Sequence, residues 1–171
     1  IGIAKTYTQK GEFFAASLNV RKALQFDPTN PDVYAQLGIV YWHARNYEGS
    51  IPAFSCALYG CDAKTACEVR SCDDTVDLQA GIEGMPLTGS TVVYYYTYGS
   101  VLAAMHQKGD DLCDQAVQVL GQVQDRYFDD VNIMSIVGTS QEICASYGVQ
   151  LSGRPIPTQA STAEVSATPT V

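Results

Sequence analysis

One pattern of small and large side chains recurs in this chain at a spacing of about 34 residues. Each copy of a repeat this long can bury its apolar face only against the neighbouring copy, so the fold must stack similar units. This requirement constrains the fold more strongly than the composition does. The repeated positions pair Tyr7 with Tyr41, Phe13 with Tyr47, Val20 with Phe54 and Ala23 with Ala57.

Each copy of the pattern predicts a pair of helices. In the second copy Tyr34, Leu37 and Tyr41 recur at three- and four-residue steps, so they form one helical stripe. Gly38 lies on the same stripe and allows a neighbouring helix to approach closely, and Pro31 is suited to the first turn. After a polar break a second stripe begins, which contains Tyr47, Ser50, Phe54 and Ala57.

These positions resemble the tetratricopeptide repeat (TPR), a helical hairpin with this period. The resemblance is strongest over residues 1–58 and looser over residues 92–147, where Tyr95, Tyr98 and Gly99 take the places of the second copy's stripe. It implies an all-α fold: a short α-solenoid of TPR helical hairpins with a Cys-rich insert and an extended C-terminal tail. The inner stripe of the last hairpin's second helix contains Ala116, Leu120 and Val123.

The resemblance divides the chain into four parts. We assign residues 1–59 to an incomplete first TPR and a complete second one, and residues 60–90 to the Cys-rich insert with one short helix. Residues 91–148 form an irregular third TPR and a capping helix near 131–147, and residues 149–171 form a Ser/Thr/Pro-rich tail. Because Ile1 falls inside the first helix of a repeat, we expect a processed or partial product.

The third repeat contains an extension between its two helices. The separation of Gly99 from Ala116 exceeds that of Gly38 from Ser50 by about five residues. We interpret the extension as one extra helical turn before Gly109, followed by a short polar segment.

The chain has six cysteines, which predict a disulfide framework and therefore secretion, with an extracellular, cell-surface or periplasmic location. Cys113 opens one helix and Cys144 closes the next, and these ends meet in an antiparallel pair, so we expect a bridge between them. The other four allow three pairings, of which we favour a nested arrangement. A zinc site is the alternative, although these four lack a Cys-x-x-Cys pair. The nested arrangement pairs Cys61 with Cys67 and Cys56 with Cys72.

The chain is acidic, with a net charge of −8 and a pI near 4.5. This charge disfavours nucleic acid and anionic membrane surfaces as partners. The sequence has no apolar run long enough to span a membrane. Asp73, Asp74 and Asp77 are an alternative calcium site, but the glycine and glutamate of an EF-hand loop are missing, so an acidic surface loop is the better interpretation.

Residues 155–171 have the composition of a linker or an O-glycosylated stalk, with three prolines and six Ser/Thr. Fully extended, this segment reaches about 55 Å, far enough to cross to another molecule. Packing along its own domain is the alternative. The sequence contains no Asn-x-Ser/Thr sequon, so any glycan here is O-linked. The candidate acceptors are Thr158, Ser161, Thr162, Ser166, Thr168 and Thr170.

In the TPR family the first helix of each repeat lines a concave groove that binds peptides. Trp42, the only tryptophan, is the expected aromatic anchor, and helix packing is its alternative role. Val93 and Thr97 occupy places where the family's carboxylate clamp needs Lys and Arg, which disfavours a clamp-type co-chaperone. The resemblance places these residues in the groove: Lys5, Thr8, Gln9, Asp32, Ala35, Ile39, Trp42, His43, Val93, Tyr96 and Ser100.

No catalytic motif accompanies the repeats. His43 and His106 are the only histidines and match no metal-ligand pattern. The acidic pairs Asp110-Asp111 and Asp129-Asp130 are placed where helices are expected to start, which is a structural role. We therefore predict a non-enzymatic scaffold without cofactor or metal, which associates with copies of itself head to tail through the C-terminal tail and forms a filament. The alternatives are a monomeric secreted adaptor for extended peptides and a module of a larger surface complex.

Overall fold

The computed structural model describes residues 1–73 and 80–151 of the 171-residue chain. These residues contain eight helices and isolated β-bridges but no extended strand. The helices are α1 (Gly2–Gln9), α2 (Phe13–Phe26), α3 (Pro31–His43), α4 (Tyr47–Tyr59), α5 (Ala63–Arg70), α6 (Val92–Met105), α7 (Leu112–Tyr127) and α8 (Val131–Ser146).

The helices stack as consecutive hairpins along the chain. Helix α1 packs on α2, α3 on α4, and α6 on α7, while α8 packs on both α6 and α7. Neighbouring hairpins meet where α2 contacts α3 and α4 contacts α6. The predicted all-α helical-repeat fold is therefore confirmed, and α8 begins where the capping helix was expected.

Small residues allow the two helices of each hairpin to approach closely. A Cβ atom added to Gly38 would lie 2.8 Å from the Phe54 ring, and one added to Gly99 would lie 2.6 Å from Leu120. The corresponding positions of the first hairpin are Ala4 and the smaller Val20, and both are buried. The α3–α4 and α6–α7 hairpins thus pair a small residue with a large one, as the repeat pattern predicted.

Polar side chains start the helices at the expected places. The Asn30 side chain accepts a hydrogen bond from the Asp32 amide at 3.0 Å, and Pro31 is the first residue of α3. Asp130 caps α8 by accepting from the amides of Asn132 and Ile133 at 3.0 and 3.1 Å. These caps satisfy amides that have no partner inside a helix.

The insert joins α4 through direct backbone contacts. The Met85 amide donates to the Ala57 carbonyl at 2.9 Å, and glycines allow the two backbones to meet. A Cβ on Gly84 would lie 2.5 Å from the Leu58 carbonyl oxygen, and one on Gly81 would lie 2.7 Å from the Cys61 carbonyl oxygen. Residues 81–85 are therefore packed against the folded core.

The structure pairs Cys113 with Cys144, as expected, and links α7 to α8. The nested pairing expected in the insert is wrong, and so is the zinc alternative. The four cysteines considered for these arrangements form two short-range disulfides, Cys56 with Cys61 and Cys67 with Cys72.

Left-handed residues at two helix ends explain the short-range pairing. Gly60 (φ 81°) ends α4 and turns the chain back, which brings the Cα of Cys61 to 4.8 Å from that of Cys56. Ser71 (φ 55°) does the same after α5, where the two Cα atoms lie 5.0 Å apart. Each disulfide therefore closes the turn at one helix end.

The extension in the third repeat lies in the loop between the helices, so the extra helical turn was wrongly predicted. Helix α6 has 14 residues against 13 in α3, and the loop over residues 106–111 takes up most of the added length. Asp110 closes this loop by accepting from the amides of Gln107 and Leu112 at 2.8 and 3.1 Å. These bonds offer the backbone a stable turn in place of a longer helix.

Candidate functional site

A cleft of about 400 Å³ opens between helices α3, α6 and α8, with one residue from α4 at its edge. We refer to it as the α3–α6–α8 cleft. Its lining residues are Trp42, Tyr47, Ser100, Val101, Ala104, Ser135, Ile136, Thr139, Ser140 and Ile143.

Small hydroxyl side chains join the two helices at the floor of this cleft. The Ser100 and Ser140 hydroxyls lie 2.8 Å apart, across the contact between α6 and α8. Each hydroxyl also lies within hydrogen-bond distance of a carbonyl one turn earlier in its own helix, Ser100 at 2.8 Å from Tyr96 and Ser140 at 3.0 Å from Ile136. Since each hydroxyl has one proton, one serine donates to the other, and the serine that accepts can donate to its own carbonyl. The short side chains permit close helix approach and leave room above them for a ligand backbone.

The rim of the cleft is apolar and accessible. Trp42 is 37% exposed, Ile136 39% and Ile143 36%, so all three side chains present apolar area to the opening. An aromatic anchor beside aliphatic side chains is typical of the energetic centre of a protein interface.

The cleft carries no charge. None of its lining residues is Asp, Glu, Lys or Arg, although the chain contains 18 acidic and 10 basic residues. Beside the cleft, the His43 ring packs against Trp42 with centroids 4.5 Å apart and stacks on Phe13 at 6.1 Å. The geometry therefore suits an uncharged ligand and offers no ion-pair partner to a charged one.

The structure distributes the predicted groove residues over several environments. Trp42 and Ser100 line the cleft. The side chains of Lys5 and Gln9 are exposed on α1, and Thr8 is half-buried there. The remaining half-buried positions pack against the core and comprise Ile39, Val93 and Tyr96.

Ala35 is wrongly assigned to the groove, because it is fully buried. Helix α3 contacts α2, α4 and α6, and this central position covers most of its circumference. Asp32 is already engaged: it accepts a hydrogen bond from the Tyr94 hydroxyl at 2.9 Å, and the same hydroxyl accepts one from Gln36. Burial raises the pKa of Tyr94, and its bond to the carboxylate raises that pKa further.

Sequence reasoning missed the contribution of α8 to the cleft. This helix was expected only to cap the stack, but it supplies half of the lining residues. Ser135, Ile136, Thr139, Ser140 and Ile143 recur at helical spacing and form one face with small and aliphatic side chains. That periodicity was the available signal, and it resembles the inner face of a further repeat helix.

A second cleft, of about 330 Å³, lies beside the insert and includes three basic side chains, Arg21, Lys22 and Arg70. The Arg21 guanidinium donates to the Arg70 carbonyl at 3.3 Å and to the Tyr41 hydroxyl at 2.5 Å. These bonds connect α2 with the end of α5 and with α3, so Arg21 helps to hold the insert against the first two hairpins.

His106 lies in the loop between α6 and α7 and is buried. Its Nδ1 lies 3.3 Å from the Cys113 amide nitrogen and 2.5 Å from an Asp110 carboxylate oxygen, while its ring packs edge-on against Tyr147 at 4.6 Å. The neighbouring sulfur atoms form the Cys113–Cys144 disulfide, so no thiolate stands beside this imidazole. The arrangement closes the loop against the end of α8.

Within residues 1–73 and 80–151, no group of His, Cys, Asp and Glu is arranged to hold a metal ion. Asp74 and Asp77 of the alternative calcium site lie outside the described residues, as do all the candidate glycosylation positions. In the same described ranges, no helix is both long and apolar enough to cross a membrane.

Comparison with known proteins gives one match. Residues 4–43 match the family model described as TPR repeat, and this segment contains most of α1 and all of α2 and α3. No curated protein and no solved structure matches the chain.

Proposed function

We propose that this chain, whose residues 4–43 match the TPR repeat model, is a non-enzymatic scaffold that assembles with copies of itself outside the cell. The TPR repeat is a protein-interaction module, and stacked repeats present extended surfaces to protein partners. The assembly we propose is a filament in which residues 155–171 of one subunit lie against the helices of the next.

Disulfide bonding supports an oxidising location. All six cysteines of the chain are paired, in three disulfides. Cytosolic thiols are kept reduced, whereas secreted, cell-surface and periplasmic proteins retain such bonds. Mass measurement of the native protein with and without reduction tests this step, and free thiols in freshly isolated material would contradict it.

The observation that carries the self-association proposal is the exposed apolar surface of the first hairpin. Ile3 is 65% exposed, whereas Leu37, one repeat later, is fully buried where α3 meets α2. Phe14 of α2 is also exposed, at 84%. Apolar side chains exposed together on a helical surface favour contact with another molecule.

The composition of residues 155–171 supports a second contact between subunits. Its sequence predicts an extended segment long enough to leave its own domain. A segment of one subunit that binds a different surface on the next makes a heterologous contact, and such contacts build open helical filaments when the rotation does not close. The Ser and Thr residues of the segment are the proposed O-glycosylation sites.

The test is electron microscopy of the native full-length protein beside a variant that lacks residues 155–171. We expect fibres from the full-length protein and dispersed particles from the truncated one. A second variant that carries a Gly/Ser segment of equal length controls for loss of chain length and should also remain dispersed. Equally long fibres from all three proteins, or dispersed particles from all three, would refute tail-dependent assembly.

A second candidate function is a monomeric adaptor that binds an extended peptide from another protein, either alone or as a module of a larger surface complex. The α3–α6–α8 cleft favours it, because Trp42 is accessible there. Sedimentation analysis separates the two functions. An adaptor sediments as a monomer at every concentration, whereas the self-assembling scaffold grows with concentration.

A further inference from the structure

We propose that the α3–α6–α8 cleft is the receptor for residues 155–171 of a second copy of this chain. This inference rests on the proposed self-association and specifies which surface receives the segment. The argument uses the dimensions of the cleft, its lack of charge and its small floor residues.

The dimensions of the cleft fit a short extended peptide. Its lining runs along α8 from Ser135 to Ile143, which corresponds to about 12 Å at the helical rise per residue. An extended chain covers that length with about four residues. Residues 155–171 provide several such stretches, and three prolines keep the segment from forming a helix.

The low charge of residues 155–171 favours this segment over the other polar segments of the chain as the occupant of the cleft. The cleft has no charged lining residue, and Glu164 is the only charged residue in 155–171. The chain as a whole carries a net charge of −8, so its other polar stretches bring carboxylates with them. A carboxylate placed in an uncharged apolar cleft loses hydration without gaining a partner.

The floor of the cleft also fits a chain rich in small residues. Ser100, Ala104 and Ser140 leave the ligand backbone space between α6 and α8. An aliphatic side chain such as Val165 then suits the space beside Trp42. Successive side chains of an extended chain point to opposite sides, so Val165 can face the cleft while the neighbouring Glu164 faces water. Val165 lies 14 positions beyond Leu151, a reach of about 45–50 Å when extended, which is enough to meet a second molecule.

Trp42 provides a direct optical test, because it is the only tryptophan and lies in the cleft. The probe is a synthetic peptide of residues 155–171, acetylated and amidated so that its ends add no charge, titrated into dilute full-length protein. We expect a saturable shift of the tryptophan emission to shorter wavelength. A scrambled peptide of the same composition should bind at least about tenfold more weakly, because its apolar and proline residues no longer fall at matching places.

Two substitutions in the full chain place a charge in the cleft. Ile136→Glu and Ile143→Glu should each weaken peptide binding about tenfold or more and reduce assembly in parallel, since the carboxylate opposes an apolar ligand. Both positions are partly exposed, so the carboxylate can reach water and the fold should survive. Phe26→Glu is the matched control, because Phe26 is 90% exposed and lies outside the cleft. Peptide binding to this control should be unchanged.

The possible results separate this inference from the proposed function. If assembly requires residues 155–171 but Ile136→Glu and Ile143→Glu leave both assembly and peptide binding intact, the cleft is not the receptor and the proposed function stands. If Trp42 is shielded at every protein concentration and exposed only after deletion of the segment, the segment binds its own domain and the inference fails. Assembly that does not need the segment refutes both.

Discussion

Substitution of Gly38 by alanine should destabilise the protein, although alanine is the better helix former. Gly38 lies inside α3, and an added Cβ would be 2.8–2.9 Å from three carbon atoms of the Phe54 ring. Real Cβ contacts are essentially never that short, so a helix or the ring must move. Phe54 is fully buried, and its ring also packs against Tyr98 with centroids 6.0 Å apart, so it has little freedom to move.

The magnitude follows from two opposing effects. Replacing an interior helical glycine by alanine favours folding by about 1 kcal/mol. Adding a methyl group to a close-packed core costs about 1–3 kcal/mol through shifts of backbone and side chains. The net change should therefore be a loss of up to about 2 kcal/mol in the free energy of unfolding. At Gly2, where no atom lies within 4 Å of an added Cβ, the same substitution should leave stability unchanged or slightly raised.

Denaturant unfolding followed by circular dichroism measures this difference, with Gly2→Ala as the matched control. The first hairpin suggests a rescue, because it pairs Ala4 with Val20 at the corresponding places. In a double-mutant cycle, Gly38→Ala should cost less when combined with Phe54→Val than it does alone. The packing argument would be refuted if Gly38→Ala were as stable as Gly2→Ala, or if the two changes at positions 38 and 54 were simply additive.

Three further predictions concern a disulfide, a helix cap and high pH. Replacing both Cys113 and Cys144 by alanine should lower stability by about 3–4 kcal/mol, since that bridge spans 31 residues; an unchanged denaturation midpoint would contradict this. Asp130→Ala should remove the α8 cap and lower the free energy of unfolding by about 1 kcal/mol, as measured by thermal unfolding. Asp129→Ala should have little effect, and equal losses in the two variants would argue against the cap. Burial raises the pKa of Tyr59 from 10.0 to about 12. Its unfolded form ionises first, so stability present below pH 10 should be lost as the pH rises toward 12. A Tyr59→Phe variant should lose less stability over this range, and an equal loss in both proteins would contradict this.

Much of the helical framework could be predicted from local sequence. The stripe of Tyr34, Leu37 and Tyr41 predicted α3, and Asn30-Pro31 marked its start, because helix periodicity and capping depend on residues a few positions apart. The close approach at Gly38 and Gly99 was also predictable, since the repeat sets a small residue opposite a large one. The Cys113–Cys144 bridge followed from the order of two neighbouring helices.

The disulfides of the insert could not be predicted from spacing alone. Their pairing depends on left-handed turns at Gly60 and Ser71, and a residue such as Ser71 adopts that conformation only when the surrounding structure favours it. The same limitation applied to the third repeat. Its extra residues could lengthen a helix or a loop. The hydrogen bonds that Asp110 accepts stabilise the loop.

Local sequence was enough to specify a stack of TPR-like helical hairpins, because repeat period, helical stripes and caps depend on residues close together in the chain. Packing between distant helices sets which surfaces remain open. Ala35 belongs to the predicted groove by sequence position, yet it is fully buried in α3, which contacts three other helices. Ile136 and Ile143 of the supposed cap instead line the cleft with Trp42. Exposure depends on which distant helices pack against a residue, and local pattern does not contain that information.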